Sequence, residues 1–127
     1  MKRILLVDDD KDILSVLEET LTYSSYYVKS ISNSEKIFEI IADYKPDLVI
    51  LDFLLDDENG GEICFKLKKS EATAHLPVIL LSGFASLAEM QSIYGCDAYL
   101  AKPFDIKPLL LTVKNCIEKA DLTNQLT

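Results

Sequence analysis

Three short runs along the chain are almost purely apolar: Ile4-Leu5-Leu6-Val7, Leu48-Val49-Ile50-Leu51 and Val78-Ile79-Leu80-Leu81. Apolarity that is continuous rather than alternating predicts parallel strands covered on both faces. Two mixed runs, residues 26–31 and Ala98-Tyr99-Leu100-Ala101, predict strands at the sheet edges. Helical spacing fills the gaps. Ile13, Leu14, Leu17 and Leu21 share one face, as do Ile37, Ile40, Ile41 and Tyr44. Ile63, Cys64 and Leu67 make a third stripe, Leu87, Met90 and Tyr94 a fourth, and Leu109, Val113, Cys116 and Ile117 a fifth. Ser32 with Glu35 and Ser86 with Glu89 have the spacing of capping boxes. Asp105 can cap the last helix, with Pro108 tolerated in its first turn.

A strand followed by a helix, five times over, implies an α/β fold: a parallel sheet with right-handed crossovers and helices on both faces. The first, third and fourth strands are the apolar ones, so the second and fifth belong at the edges. That gives a doubly wound sheet of order 2-1-3-4-5. No repeat, linker or second domain is visible, and the polar segment 121–127 is expected to fray.

Composition narrows the function. With 21 Asp and Glu against 13 Lys and Arg the net charge is −8, which argues against nucleic-acid binding through a basic face. Cys64, Cys96 and Cys116 form no CxxC pair and the only histidine is His75, so a zinc site is not expected. The three thiols are expected to be buried, and His75 to be an exposed loop residue. The amino-terminal apolar run stops at Asp8, too short for a signal peptide, and no uncharged apolar stretch reaches the ~18 residues of a membrane span. The expectation is a soluble, cytoplasmic protein.

In an open parallel sheet, ligands bind beyond the carboxyl ends of the strands, where the strand order reverses. Past strand one stand Asp8, Asp9 and Asp10; past strand three, Asp52; past strand four, Ser82 and Gly83; past strand five, Lys102 and Pro103. Read alone, the first three acids could simply cap the first helix. Together, four strands deliver carboxylates, a hydroxyl and an ammonium to one rim. Two unit charges 4 Å apart repel by about 4 kcal/mol at an effective dielectric of 20. Such a cluster needs protons or a cation, and hard oxygen ligands suit Mg²⁺. Asp8, Asp9 and Asp52 are therefore the expected metal ligands. Lys102 and Ser82 would meet phosphoryl oxygens, and Asp52 would be the nucleophile.

These residues resemble the receiver domain of bacterial two-component response regulators, the CheY-like group. The matching pieces are Leu6-Val7-Asp8-Asp9-Asp10, Asp47-Leu48-Val49-Ile50-Leu51-Asp52, Asn59-Gly60, Leu81-Ser82, Gly95-Cys96-Asp97-Ala98-Tyr99-Leu100 and Lys102-Pro103-Phe104, in family order over residues 3–119. The resemblance implies a (βα)5 flavodoxin-like sandwich over 1–120, with 121–127 a tail. It implies that Asp52 accepts phosphate from a phosphohistidine on a sensor histidine kinase or phosphotransfer protein. Asp8 and Asp9 would hold Mg²⁺ with the backbone carbonyl of Leu54. Ser82 would be the switch hydroxyl, Tyr99 the switch aromatic and Lys102 the phosphate-contacting lysine, joined to Pro103 by a cis bond. A downstream effector or fused output domain would read the switched surface, and weak homodimers through the last two helices fit the same picture. The protein would be a switch rather than a turnover enzyme.

Departures from the family pattern cluster beside the acceptor. Asp56 stands where Pro is usual, within Asp56-Asp57-Glu58; Asn59 replaces the commoner Asp; Gly83 follows Ser82 where Ala is frequent. Tyr99 also reads as ordinary edge-strand packing, and Lys66, Lys68 and Lys69 as a solvated run. Two other functions compete. Asp8-Asp9-Asp10 mimics the Asp-x-Asp of haloacid-dehalogenase-type phosphohydrolases, and the fold could serve as a scaffold that needs no phosphorylation.

Overall fold

The structure, a computed structural model, describes residues 1–83 and 93–126. The described elements are β1 (Arg3–Val7), α1 (Lys11–Tyr23), β2 (Tyr27–Ile31), α2 (Ile37–Tyr44), β3 (Leu48–Asp52), α3 (Gly60–Lys69), β4 (Val78–Ser82), β5 (Ala98–Ala101) and α4 (Ile106–Leu126). The five strands make one parallel sheet in the order β2-β1-β3-β4-β5. The order expected from apolarity is the order found. Leu87, Met90 and the Ser86–Glu89 capping box lie outside the described residues.

The continuous apolar strands are explained by two core layers. Leu5, Val7, Val49, Leu51, Val78 and Leu80 face α2 and α3 through Ile37, Ile41, Ile63, Cys64 and Leu67. The alternate residues Ile4, Leu6, Leu48, Ile50, Ile79 and Leu81 face α1 and α4 through Leu14, Leu17, Leu21, Leu109, Val113 and Ile117. Each central strand thus has no solvent side, and a polar residue anywhere along it would be stranded. Polar groups enter only where the strands end.

Caps fix where the helices begin. Asp10 accepts from the backbone N–H groups of Asp12 and Ile13, and Asn59 from those of Gly61 and Glu62. The Ser32–Glu35 box does not form. Asn33 accepts from the Glu35 N–H instead, and α2 begins only at Ile37, because the intervening Ser34 is buried and committed to Asp57. The lysines at the end of α3 are not simply solvated. Lys68 pairs with Asp97 at 2.6 Å and donates to the Leu76 carbonyl, Lys66 pairs with Glu58, and Lys69 lies over the Phe65 ring. There they also complement the helix dipole.

The segment expected to fray is instead helical to Leu126, and Asp121 is tied back to Lys2 at 2.9 Å. Residues 122–124 are exposed on that helix. Cys64 and Cys96 are buried as expected, and burial pushes their thiols up to about 12 and about 11. Cys116 is only half-buried, because α4 presents it at the margin of its layer. His75 is exposed. No helix among the described residues is long and apolar enough to cross a membrane.

Candidate functional site

Because the strands are parallel, their carboxyl ends meet along one rim. Asp8 follows β1, Asp52 closes β3, Ser82 closes β4 and Lys102 follows β5. Parallel register draws the rim together: Val7 pairs with Leu51, Asp52 with Leu81, and Ser82 with Ala101. The Lys102 N–H donates to the Ser82 carbonyl at 2.8 Å, which carries the ladder one residue past β5.

Lys102 reaches back across the rim. Its Nζ lies 3.0 Å from Asp8 Oδ2 and 2.9 Å from Asp52 Oδ1, so one ammonium bridges two carboxylates that are 1% and 5% exposed. The other Asp8 oxygen accepts from the Asp10 N–H at 2.9 Å. Asp9 is half-buried, and its Oδ2 accepts from the Asp56 N–H at 3.1 Å. Ligand oxygens of Asp8, Asp9 and Asp52 lie within 4.8 Å of one another. An all-oxygen set of three carboxylates facing one ammonium retains net negative charge, and it fits a hard divalent cation rather than a soft one.

The electrostatics follow from that crowding. Burial pushes the Asp52 carboxyl above the usual carboxylate range; the Lys102 bond pulls it down, and the charges of Asp8 and Asp9 push it further up. Burial also works against charge on Lys102, but its bonds to Asp52 and Asp8 outweigh this and hold its ammonium above the ordinary lysine range. Lys102→Met would strand the two carboxylates. It is expected to lower stability at neutral pH by about 2–3 kcal/mol, below the usual cost of breaking a buried pair because the carboxyls can take up protons instead. Without Lys102 the Asp52 carboxyl pKa rises further. Stability from such a raised acid is present below its unfolded pKa and lost as pH rises through the folded one. The deficit should therefore shrink between about pH 7 and about pH 4.5, checked by urea unfolding at both.

The remaining expected residues fall into place unequally. Ser82 is 1% exposed at the end of β4, beside Lys102 in the ladder. Leu54 exposes its side chain, and its backbone forms an antiparallel bridge with Asn59. Tyr99 is not gathered to the rim. It sits mid-strand beside Leu80, half-buried against the α2–α3 layer. The Lys102–Pro103 bond is cis. Asp10 caps α1 with its side chain and stands outside the acidic trio, so the Asp-x-Asp pair of a dehalogenase-type site is not assembled.

What holds the loop between β3 and α3 is not legible from residue spacing. The Gly60 N–H donates to the Phe53 carbonyl at 2.7 Å, and the Phe53 N–H to the Leu81 carbonyl at 2.8 Å. Asp57 and Glu58 both bind Ser34, 23 and 24 residues away. Burial raises the Asp57 carboxyl, but the Ser34 bonds outweigh it and hold it below the usual range. Asp56 is used through its backbone: a proline there would have no N–H to give Asp9.

Comparison with known proteins agrees with this geometry. The family model described as "Response regulator receiver domain" matches residues 4–114. The chain is 31% identical over 123 residues to the DNA-binding dual master transcriptional regulator RpaA of Synechocystis, covering 95% of this chain and 51% of that protein. It is 32% identical over 122 residues to the phosphate regulon transcriptional regulatory protein PhoB of Pseudomonas aeruginosa, covering 93% of this chain and 52% of the relative. It thus spans about half the length of these curated relatives. Among solved structures, a CheY-like response regulator receiver domain protein from Methanospirillum hungatei superposes with a TM-score of 0.87 at 29% identity, covering 97% of this chain and 98% of that one.

Proposed function

This chain belongs to the response regulator receiver domain family, and we propose that Asp52 is its phosphoryl acceptor, with residues 1–120 as the receiver unit. The observation that carries the reading is the bridge from Lys102 to both Asp8 and Asp52 at the rim of four strand ends. The donor is a phosphohistidine on a sensor histidine kinase or phosphotransfer protein. An Asp52 carboxylate oxygen forms the new P–O bond as the P–N bond to the imidazole breaks, and the electron pair leaves with the imidazole nitrogen. Lys102 keeps Asp52 ionised before transfer and offers its ammonium to a phosphoryl oxygen afterwards.

Asp8, Asp9 and Asp52, with the Leu54 carbonyl, would hold Mg²⁺. When bound, the ion offsets carboxylate charge and orients phosphoryl oxygens. Ser82, on the strand next to β3, donates its hydroxyl to the acceptor's phosphoryl group. Tyr99 shares β5 with the strand end that leads to Lys102, so a shift there reaches the aromatic ring and the surface around it. That surface is what a downstream effector or attached output domain reads.

The test is uptake from acetyl phosphate. With Mg²⁺ the protein is expected to gain one phosphoryl group per chain and then stop; chelation should reduce uptake to background. Continuous release of phosphate from small phosphoesters would instead support a hydrolase. No uptake, and no spectral response to beryllofluoride, would leave a scaffold.

A further inference from the structure

The geometry points to Ser34 as a positioning residue for the acidic site, acting through Asp57 on the loop that holds Asp9; this rests on the receiver reading above. Ser34 lies in the connection from β2 to α2 and is 6% exposed. Its N–H and its hydroxyl both donate to one oxygen, Asp57 Oδ2, at 3.1 and 2.8 Å. Glu58 Oε2 stands 3.3 Å from the same hydroxyl, and Glu58 is itself paired with Lys66 of α3 at 2.5 Å. The Ser34 carbonyl accepts from Ile37 N–H, the first residue of α2, whose side chain is core. The serine is therefore anchored from both sides.

What it anchors is the loop that touches the site. Asp57 directly follows Asp56, whose N–H holds Asp9 Oδ2 at 3.1 Å. The loop is closed at its base by the Leu54–Asn59 bridge and the Gly60-to-Phe53 bond. Beyond that closure the tip carries Asp56 and Asp57. Two bonds to one Asp57 oxygen fix that tip against a buried partner. A carboxylate ligand that is itself hydrogen-bonded is oriented, and loss of such an outer partner typically costs 10–100-fold in metal affinity. Ser34 acts one link further out, so a smaller effect, about 3- to 10-fold, is expected.

The experiment measures Mg²⁺ binding by calorimetry without any phosphodonor, together with hydrogen exchange of the Asp56 amide. Ser34→Ala should weaken Mg²⁺ binding about 3- to 10-fold and speed exchange at Asp56. Asp57 is exposed, so its replacement removes little packing. Asp57→Asn and Asp57→Ala remove the same charge, but only Asn keeps an oxygen for both Ser34 donors; Asn should bind Mg²⁺ more tightly than Ala. Thr73→Ala supplies the structural control. It deletes a buried hydroxyl bond to Leu67 on the loop between α3 and β4, and should lower thermal stability with Mg²⁺ binding unchanged. Wild-type binding with Ser34→Ala equal to it, or Asn and Ala equal at position 57, overturns the inference alone. A wild type that binds no Mg²⁺ overturns the functional reading, and the inference with it.

Discussion

Asp52→Asn is expected to take up no phosphoryl group from acetyl phosphate and Mg²⁺, and to resist urea better than the wild type at neutral pH. The first outcome follows from chemistry: an amide oxygen of the same shape is no nucleophile towards phosphorus. The second follows from the crowding. Burial, then the charges of Asp8 and Asp9, push the Asp52 carboxyl up despite the Lys102 bond. A raised acid contributes stability below its unfolded pKa and loses it as pH rises through the folded one. At neutral pH ionised Asp52 is therefore a net cost, which Asn removes while the Lys102–Asp8 pair at 3.0 Å survives. The advantage of Asn should fade as pH falls toward the carboxylate range. Circular dichroism across a urea series at several pH values measures it. A variant less stable than wild type at neutral pH would mean that the Lys102–Asp52 pair holds the rim together more than the carboxylates push it apart.

Gly60→Ala is expected to have the largest effect on stability, at about 4 kcal/mol or more. A Cβ on Gly60 would stand 2.0 Å from the Asp52 backbone oxygen, 2.8 Å from its carbonyl carbon and 2.9 Å from Phe53 Cα. These are backbone atoms of Asp52 and Phe53 and cannot swing aside. Either α3 starts later, losing the Gly60-to-Phe53 bond and the Asn59 cap, or β3 moves and carries Asp52 off the rim. Phosphoryl uptake should therefore fall together with the melting temperature. Gly83→Ala is the contrast, because a Cβ there meets nothing within 4 Å. Its stability should change by less than about 0.5 kcal/mol. Comparable melting curves for the two variants would show that the approach of α3 to Asp52 is looser than these distances.

The same physics explains what could be read from the chain. Leu48-Val49-Ile50-Leu51 was legible as a central strand because both of its faces are covered, so no position tolerated a polar residue. Asp8, Asp52, Ser82 and Lys102 were legible because a parallel sheet puts every strand's carboxyl end on one rim, whatever lies between. Other features depend on partners far along the chain, which periodicity does not encode. Ser32 and Glu35 have capping-box spacing, but the start of α2 is decided by Ser34 turning inward to Asp57. Lys68 looks like a surface charge until Asp97, 29 positions on, arrives at 2.6 Å. The polar run after Ala120 continues the last helix to Leu126, and its one tie to the far end of the chain among the described contacts, Asp121 to Lys2, is not encoded in periodicity. Asp56 read as a disturbance beside Asp52, and it meets Asp9 twice: its backbone N–H holds Asp9 Oδ2, and its carboxyl, bonded to the Asp9 carboxylate, is pushed above the usual range by that contact.

Locating the modified residue tests the central claim most directly. Wild-type protein treated with acetyl phosphate and Mg²⁺ can be reduced with borohydride, which converts an acyl phosphate to an alcohol, and then digested and sequenced by mass spectrometry. The expected result is a reduced side chain at position 52 and unmodified carboxylates at positions 8, 9 and 56. Reduction at Asp8 or Asp9 with Asp52 untouched would contradict the account.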